Sequence, residues 1–181
     1  MKGIVFNLLE QVVSDEYGAA SWDAIVEAAG VDGVYTAVGS YDDAELGRLV
    51  GAASTALETD GDVLVRWFGS RALPLLKALY PKFFESHAST RSFVLTLNDV
   101  IHPEVRKLFP GADVPEFVYD DSDPAMLVMS YVSSRGLCAL AEGLTEGAAA
   151  EFGEQVTIVQ RECTKRGDSR CIFECTFSPA S

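Results

Sequence analysis

Histidine is nearly missing from this chain: His87 and His102 are the only two among 181 residues. Standing fifteen residues apart, they exclude the His-Glu-x-x-His zinc hydrolases, whose helix needs two imidazoles one turn apart. A Ser-His-Asp triad would have to recruit one of these two, and neither is accompanied by a nucleophile-elbow sequence. No glycine-rich loop of phosphate-binding spacing occurs. Basic residues are also few, 14 against 27 acidic ones, for a net charge of −13. A surface of that sign repels nucleic-acid backbones and anionic membranes alike. It suits neutral, cationic or protein partners. No apolar run approaches the ~18 residues of a membrane-spanning helix. The opening stretch MKGIVFNLLEQVV is broken by Asn7 and Glu10. It reads as a folded helix rather than a signal peptide, and the expected compartment is the cytoplasm. There the four cysteines, Cys138, Cys163, Cys171 and Cys175, are expected as thiols or metal ligands rather than disulfides.

What is present is apolar and patterned. Hydrophobic residues make up 48% of the chain, enough for a core in one compact domain or at most two small lobes. The first two thirds read as helical. IVFNLLEQVV repeats apolar residues at helical spacing. SWDAIVEAAG offers Ser21 as N-cap and Gly30 as C-cap. SYDDAELGRLVGAASTALE offers Ser40 as a cap, with Asp42 and Asp43 in the first turn, where negative charge suits the helix dipole. DVLVRWFGSRALPLLKALYP and STRSFVLTLNDVIHPEVRKLFP follow, each closed by an aromatic-proline stop. After Pro110 the texture changes. PEFVYDDSDPAMLVMSYVSSR predicts two strands around an acidic turn. GLCALAEGLTEGAAAEFGE predicts a helix, and QVTIVQREC and CIFECTFS predict strands joined by the turn-rich TKRGDSR. The expected class is α+β, helices first and then β-β-α-β-β.

Three groups of residues could carry chemistry. On a strand, alternate residues share a face, so YVSSR would turn Tyr131, Ser133 and Arg135 the same way. Such a set fits a carboxylate or phosphate held at a cleft, or is simply the polar outer face of an edge strand. His102 falls near an apolar helical stripe with Val94, Leu95, Ile101 and Val105. It reads either as a core histidine or as an axial metal ligand in an apolar pocket. Pro103 removes an N–H that would bond the Asp99 carbonyl and biases His102 away from helical angles. A kink at His102, or a restart at Pro103, is expected. The cysteines could build a zinc site or remain separate buried thiols. If Cys171 and Cys175 share one extended strand, ~13 Å separates them, too far for one tetrahedral ion. Clustered thiols also open a redox role.

Together, MKGIVFNLLEQVV, DVIHPEVRKLFPGADVPEF, the YVSSR segment and GLCALAEGLTEGAAAEFG resemble the H-NOX (haem nitric oxide/oxygen binding) domain. This is the bacterial relative of the soluble guanylate cyclase sensor domain. The resemblance covers essentially the whole chain. It implies a single domain over residues 1–181, with a helical distal part (1–62), a proximal α/β part (63–181) and ferrous haem b buried between them. His102 falls where the family has its proximal iron ligand. Tyr131, Ser133 and Arg135 fall where it grips the haem propionates, and Pro115 where a proline presses on the macrocycle. Leu140 stands where oxygen-binding members carry a distal tyrosine, so an apolar wall of Val5, Leu8, Leu9 and Leu140, with Phe6 or Trp67 nearby, implies selectivity for nitric oxide over O2. Tyr17, Tyr35, Tyr41 and Tyr80 are the tyrosines that could supply a donor instead. The family includes members with a cysteine zinc site, which here would use Cys138, Cys163 and Cys171, with Cys175 as the doubtful fourth. The implied function is gas sensing, not catalysis, reported to a separate histidine kinase or cyclic-di-GMP enzyme. Two rival readings remain: a thiol or zinc redox sensor, and a vinyl-reductase-type small-molecule binder, whose end the tail CTKRGDSRCIFECTF resembles.

Overall fold

A computed structural model describes residues 1–180. Four helices come first: α1 (Gly3–Tyr17), α2 (Ala19–Ala29), α3 (Asp43–Leu57) and α4 (Gly61–Leu79). A short α5 (Thr90–Val94) leads through a π-helical turn, Leu97–Ile101, into α6 (His102–Leu108). Strands β1 (Glu116–Asp120) and β2 (Leu127–Val132) follow, then α7 (Cys138–Glu151), β3 (Glu154–Glu162) and β4 (Cys171–Pro179). The four strands form one antiparallel sheet in the order β1-β2-β4-β3. The expected α+β class and the β-β-α-β-β order therefore hold. Among the described residues, no helix is long and apolar enough to cross a membrane.

Local chemistry sets the helix ends, not always at the residues the sequence suggested. Gly30 closes α2 in the left-handed conformation (φ 62°), which costs a glycine little. Ser21 is not a cap. It lies inside α2, and its hydroxyl donates to the Tyr17 carbonyl at 2.9 Å. Ser40 does not cap α3 either; it bridges to Lys2. Asp42 takes the cap, its carboxylate accepting from the Ala44 N–H at 2.9 Å. An aspartate nearer the helix wins over a serine two residues upstream, because capping needs the side chain next to the first free N–H groups. Tyr80-Pro81 and Phe109-Pro110 end α4 and α6 as expected.

Two apolar clusters form. One fills the N-terminal helices around Phe6, Leu49 and Trp22; the other fills the space beneath the sheet around Leu127, Met129 and Phe173. Helix α4 serves both, with Phe68 in the first and Leu73 in the second. It packs very closely on α7. A Cβ at Gly143 would lie 1.9 Å from the Arg66 carbonyl oxygen, and one at Gly69 would lie 2.8 Å from that of Leu140. Arg66 then ties the two helices, donating to Glu142 at 2.6 Å and to Glu146 at 2.5 Å.

Candidate functional site

A cavity of about 390 Å³ lies where the two clusters meet. That is the size of a pocket for a bound organic molecule, ~300–1,000 Å³. Ile4, Val5 and Leu8 of α1 line it, with Leu140, Ala141 and Leu144 of α7. So do Leu97 and Ile101 of the π turn, His102 and Val105 of α6, and the connection through Val114 and Pro115. Tyr131, Ser133 and Arg135 complete the lining. The walls are apolar almost throughout, and the polar groups gather at one rim.

His102 starts α6 with helical angles (φ −64°, ψ −38°). The expected displacement from helical geometry does not occur at His102 itself. The chain absorbs Pro103 one turn earlier: the His102 N–H reaches back five residues to the Leu97 carbonyl. A widened turn relieves the crowding that a proline imposes on the preceding carbonyls. Asn98 fixes this turn to the sheet, its amide donating to the Phe117 carbonyl at 2.5 Å and accepting from the Phe117 N–H at 3.1 Å. The Tyr119 hydroxyl donates to the Val94 carbonyl at 2.6 Å. The ring of His102 is held in apolar surroundings, and its Nδ1 is buried without a well-formed hydrogen bond. Burial pushes the imidazole pKa down to about 4; the Arg106 charge adds to this, and the Pro115 carbonyl near the ring works against it. The imidazole is therefore neutral at pH 7, the form that ligates a metal.

Tyr131, Ser133 and Arg135 reach the same cavity, though not by the expected route. Strand β2 ends at Val132, so Ser133 and Arg135 belong to the following turn rather than to one strand face. Here the Arg135 N–H donates to the Ser133 hydroxyl at 3.2 Å, and a serine favours such local turns over a ladder. The Arg135 guanidinium donates to Asp43 through Nε at 2.9 Å and Nη2 at 3.0 Å, and through Nη1 to the Asp113 carbonyl at 2.7 Å. Asp43 opens α3 and also lines the cavity. Burial tends to raise its carboxyl pKa, but the amino group of Met1 and the guanidinium of Arg135 outweigh that and hold it low. Sequence reasoning took Asp43 only as a helix-start acid. Its pairing spans 92 residues, and no local pattern announces such a contact.

The expected apolar wall is partly assembled. Val5, Leu8 and Leu140 line the cavity, whereas Leu9 and Trp67 line a smaller one and Phe6 is stacked on Tyr35. Of the four tyrosines considered as donors, Tyr80 alone lines the large cavity. Its ring meets Phe109, just beyond α6, at 6.4 Å. Tyr35 instead donates to Glu45, and the Tyr41 hydroxyl accepts from the Thr36 N–H. Three of the four cysteines meet elsewhere. The sulfurs of Cys138, Cys163 and Cys171 all lie within 4.8 Å of one another. Cys175 shares the buried face of β4 with Cys171, but its sulfur rests against that of Met129 at 3.8 Å.

The family model for haem-NO-binding domains matches residues 2–160. This chain belongs to the H-NOX family. The fold agrees. An H-NOX protein from Shewanella oneidensis in its Fe(II)NO state superposes with a TM-score of 0.92 at 30% identity, covering 98% of this chain and 99% of that one. The unliganded Fe(II) H-NOX protein from K. algicida gives 0.89 at 26% identity, covering 98% and 97%. H-NOX domains are haem-binding sensors of gases that report to partners, and they are not enzymes. The cavity fits that cofactor on its own terms. It offers one neutral imidazole with no strong partner, apolar walls for a flat ring system, and an arginine with two hydroxyls at the rim for carboxylates.

Proposed function

We propose that this H-NOX domain is a ferrous-haem sensor selective for nitric oxide over O2, signalling by a change of shape to a separate protein. The observation that carries the reading is the neutral, weakly partnered imidazole of His102 in a largely apolar cavity that also holds Tyr131, Ser133 and Arg135. Haem would supply an iron that takes the gas on one side and a protein ligand on the other. His102 is the candidate ligand. Tyr131, Ser133 and Arg135 are the candidates for the propionates, and Arg135 would then share its donors among Asp43, the Asp113 carbonyl and the cofactor. Pro115, which lines the cavity, would pack against the ring system.

Leu140, Val5 and Leu8 offer no hydrogen-bond donor, and bound O2 needs one far more than nitric oxide does. Spectra of the ferrous, haem-loaded protein test this: the Soret band is expected to shift with nitric oxide and to stay in place in air. A stable oxy spectrum would overturn the selectivity. His102 is the first residue of α6, so a pull on its ring, or its release, would act on α6 directly and, through the π turn before it, on the Asn98 grip on β1. The helical part, 1–62, and the part from 63 onward would shift against each other. A histidine kinase or cyclic-di-GMP enzyme, proposed as the cytoplasmic partner, need only bind the two shapes unequally.

A zinc ion held by Cys138, Cys163 and Cys171 is a second proposal. With Zn–S bonds of ~2.3 Å, a tetrahedron sets its sulfurs about 3.8 Å apart, and Cys138 and Cys163 stand at 3.8 Å. Burial pushes the Cys138 thiol pKa up to about 12, whereas at Cys171 the Thr164 hydroxyl and N–H, each 3.4 Å away, outweigh burial and favour the thiolate. Cys163→Ser is expected to lower bound zinc by elemental analysis, and Cys175→Ser to leave it unchanged. Equal loss in both would count against the three-thiol site.

A further inference from the structure

The two edges of the sheet are finished differently. Strand β1, at one edge, is five residues long, and the Asn98 side chain occupies the outward N–H and carbonyl of Phe117. Strand β3, at the other edge, runs nine residues from Glu154 to Glu162, and among the described residues no strand lies beyond it. Its stretch QVTIVQ, residues 155–160, holds no charge, no proline and no glycine. Proteins blunt exposed edges with lysine, proline, bulges or a covering element. Here a register shift lies between Gln160 and Glu162, and the Arg166 guanidinium donates to the Gln160 carbonyl at 3.1 Å. Both devices close only the C-terminal end of the edge.

In an antiparallel ladder one residue turns both its N–H and its carbonyl toward a given neighbour, and the next residue turns both away. The Gly153 carbonyl accepts from the Ala180 N–H at 2.9 Å. Glu154 stands opposite Pro179, which has no N–H to give. Odd-numbered residues of β3 therefore bond to β4. Val156 and Ile158 direct their N–H and carbonyl groups out of the sheet, where no ladder receives them. Their side chains are half-buried and pack on the cluster beneath the sheet. The apolar core thus ends at these two residues instead of behind them.

We propose that β3 pairs antiparallel with β3 of a second copy of this chain, with Thr157 on the two-fold axis. The strand is self-complementary in that register. Val156 of each copy stands opposite Ile158 of the other, so their free N–H and carbonyl groups satisfy each other and the apolar core continues across the axis. Gln155 meets Val159 and Glu154 meets Gln160, so no like charges face each other. Sliding by two residues one way sets Glu154 opposite Glu162 at both ends, which is unfavourable. Sliding the other way shortens the paired segment to Glu154–Ile158. A slip of one residue would set inward side chains against outward ones. Charge also permits the approach. Residues 1–62 carry 12 acidic and 2 basic residues, but residues 63–181, which build the sheet, carry 15 and 12. The net −13 of each copy still opposes association at a distance, so salt is expected to tighten the dimer. The contact is isologous and closes at two copies. With β1 covered by Asn98, the sheet does not extend into a filament.

Hydrogen exchange on the full chain tests the edge without a mutation. The amides of Val156 and Ile158 are expected to exchange roughly tenfold more slowly in concentrated than in dilute protein, while those of Gln155 and Thr157, bonded to β4, stay the same. Sedimentation should show a monomer passing to a dimer with concentration, and more dimer at higher salt. Cross-linking tests the register. Facing residues on the axis lie ~4.5 Å apart at Cα, within the span of a disulfide. Thr157→Cys is expected to yield a cross-linked dimer under diamide. Gln155→Cys, ~13 Å from its counterpart, is not. The wild-type chain is the blank, since its four cysteines are buried. Thr157→Lys, which sets two ammonium groups on the axis, should weaken the dimer roughly two- to fivefold. A chain that sediments as a monomer at every concentration, or that cross-links equally from positions 155 and 157, overturns the proposal. Protection of Val156 and Ile158 only when another protein is added would overturn it too, by giving the edge to a strand of that protein. None of these readouts depends on haem.

Discussion

A His102→Gly variant is expected to hold ferrous haem at least ~10–100-fold more weakly than the wild-type protein, with free imidazole restoring the coloured complex. The size follows from how few alternatives the chain has. No other imidazole lines the large cavity. His87 stands against Thr96, 3.4 Å from its hydroxyl, with its ring edge-on to Phe93. No cysteine lines the cavity to take over as a thiolate ligand. Tyr131 lines it, but burial raises its phenol pKa and the Ser133 hydroxyl only partly offsets that, so a phenolate is costly at neutral pH. Removing the ring leaves apolar contacts and the rim. These can position a flat cofactor, but they give the iron nothing. Imidazole rescue separates a lost ligand from a lost fold, since a collapsed cavity would not recover with added ligand. Full haem retention in the variant, read by gel filtration with the Soret absorbance, would remove His102 from the site.

Gly143→Ala is expected to destabilise the fold by ~2–3 kcal/mol, although alanine is the better helix former by about 1 kcal/mol. The added methyl would lie 1.9 Å from the Arg66 carbonyl oxygen, with the Arg66 carbonyl carbon and Cα close behind. These are backbone atoms of α4 and cannot rotate away. The helices must separate, and separation weakens the Arg66 bridges to Glu142 and Glu146. Glu142 is nearly buried, so a lengthened bridge leaves a carboxylate without its partner in poor solvent. In a chain of this size the loss lowers Tm by ~4–12 °C. Gly47→Ala is the control. Nothing lies within 4 Å of its added Cβ, and it sits mid-helix in α3. It should stabilise slightly, by ~0.5–1 kcal/mol. If both changes shift Tm equally, the tight α4–α7 contact is not what limits stability.

The helices and the β-β-α-β-β order along the chain were legible in the sequence because each rests on local periodicity, whereas periodicity alone left His102 open between a core histidine and a metal ligand, and it was the family resemblance that pointed it at the cavity it lines. Other features were not. The caps at Ser21 and Ser40 were misplaced because a hydroxyl at the right composition is not at the right distance, while Asp42 is. The YVSSR segment was read as one strand. Its alternation continues past Val132, but the Ser133 hydroxyl captures the Arg135 N–H and bends the chain. Both residues still reach the rim, now through a turn. Pro103 announced a distortion near His102, but the sequence could not say that a π turn one step earlier would absorb it. The Asp43–Arg135 pair and the three-sulfur cluster depend on contacts between distant segments. Spacing allowed the cluster without selecting its members. It did foresee the separation of Cys175 from Cys171, because strand rise is a fixed length.

The central claim is that the cavity at His102 is a haem site, and one measurement addresses it most directly. The protein is mixed with ferrous haem, passed through gel filtration to remove free cofactor, and its absorbance is compared with its mass. The account predicts a strong Soret band that travels with the protein at one haem per chain. A colourless protein fraction, with the haem left behind, would contradict it.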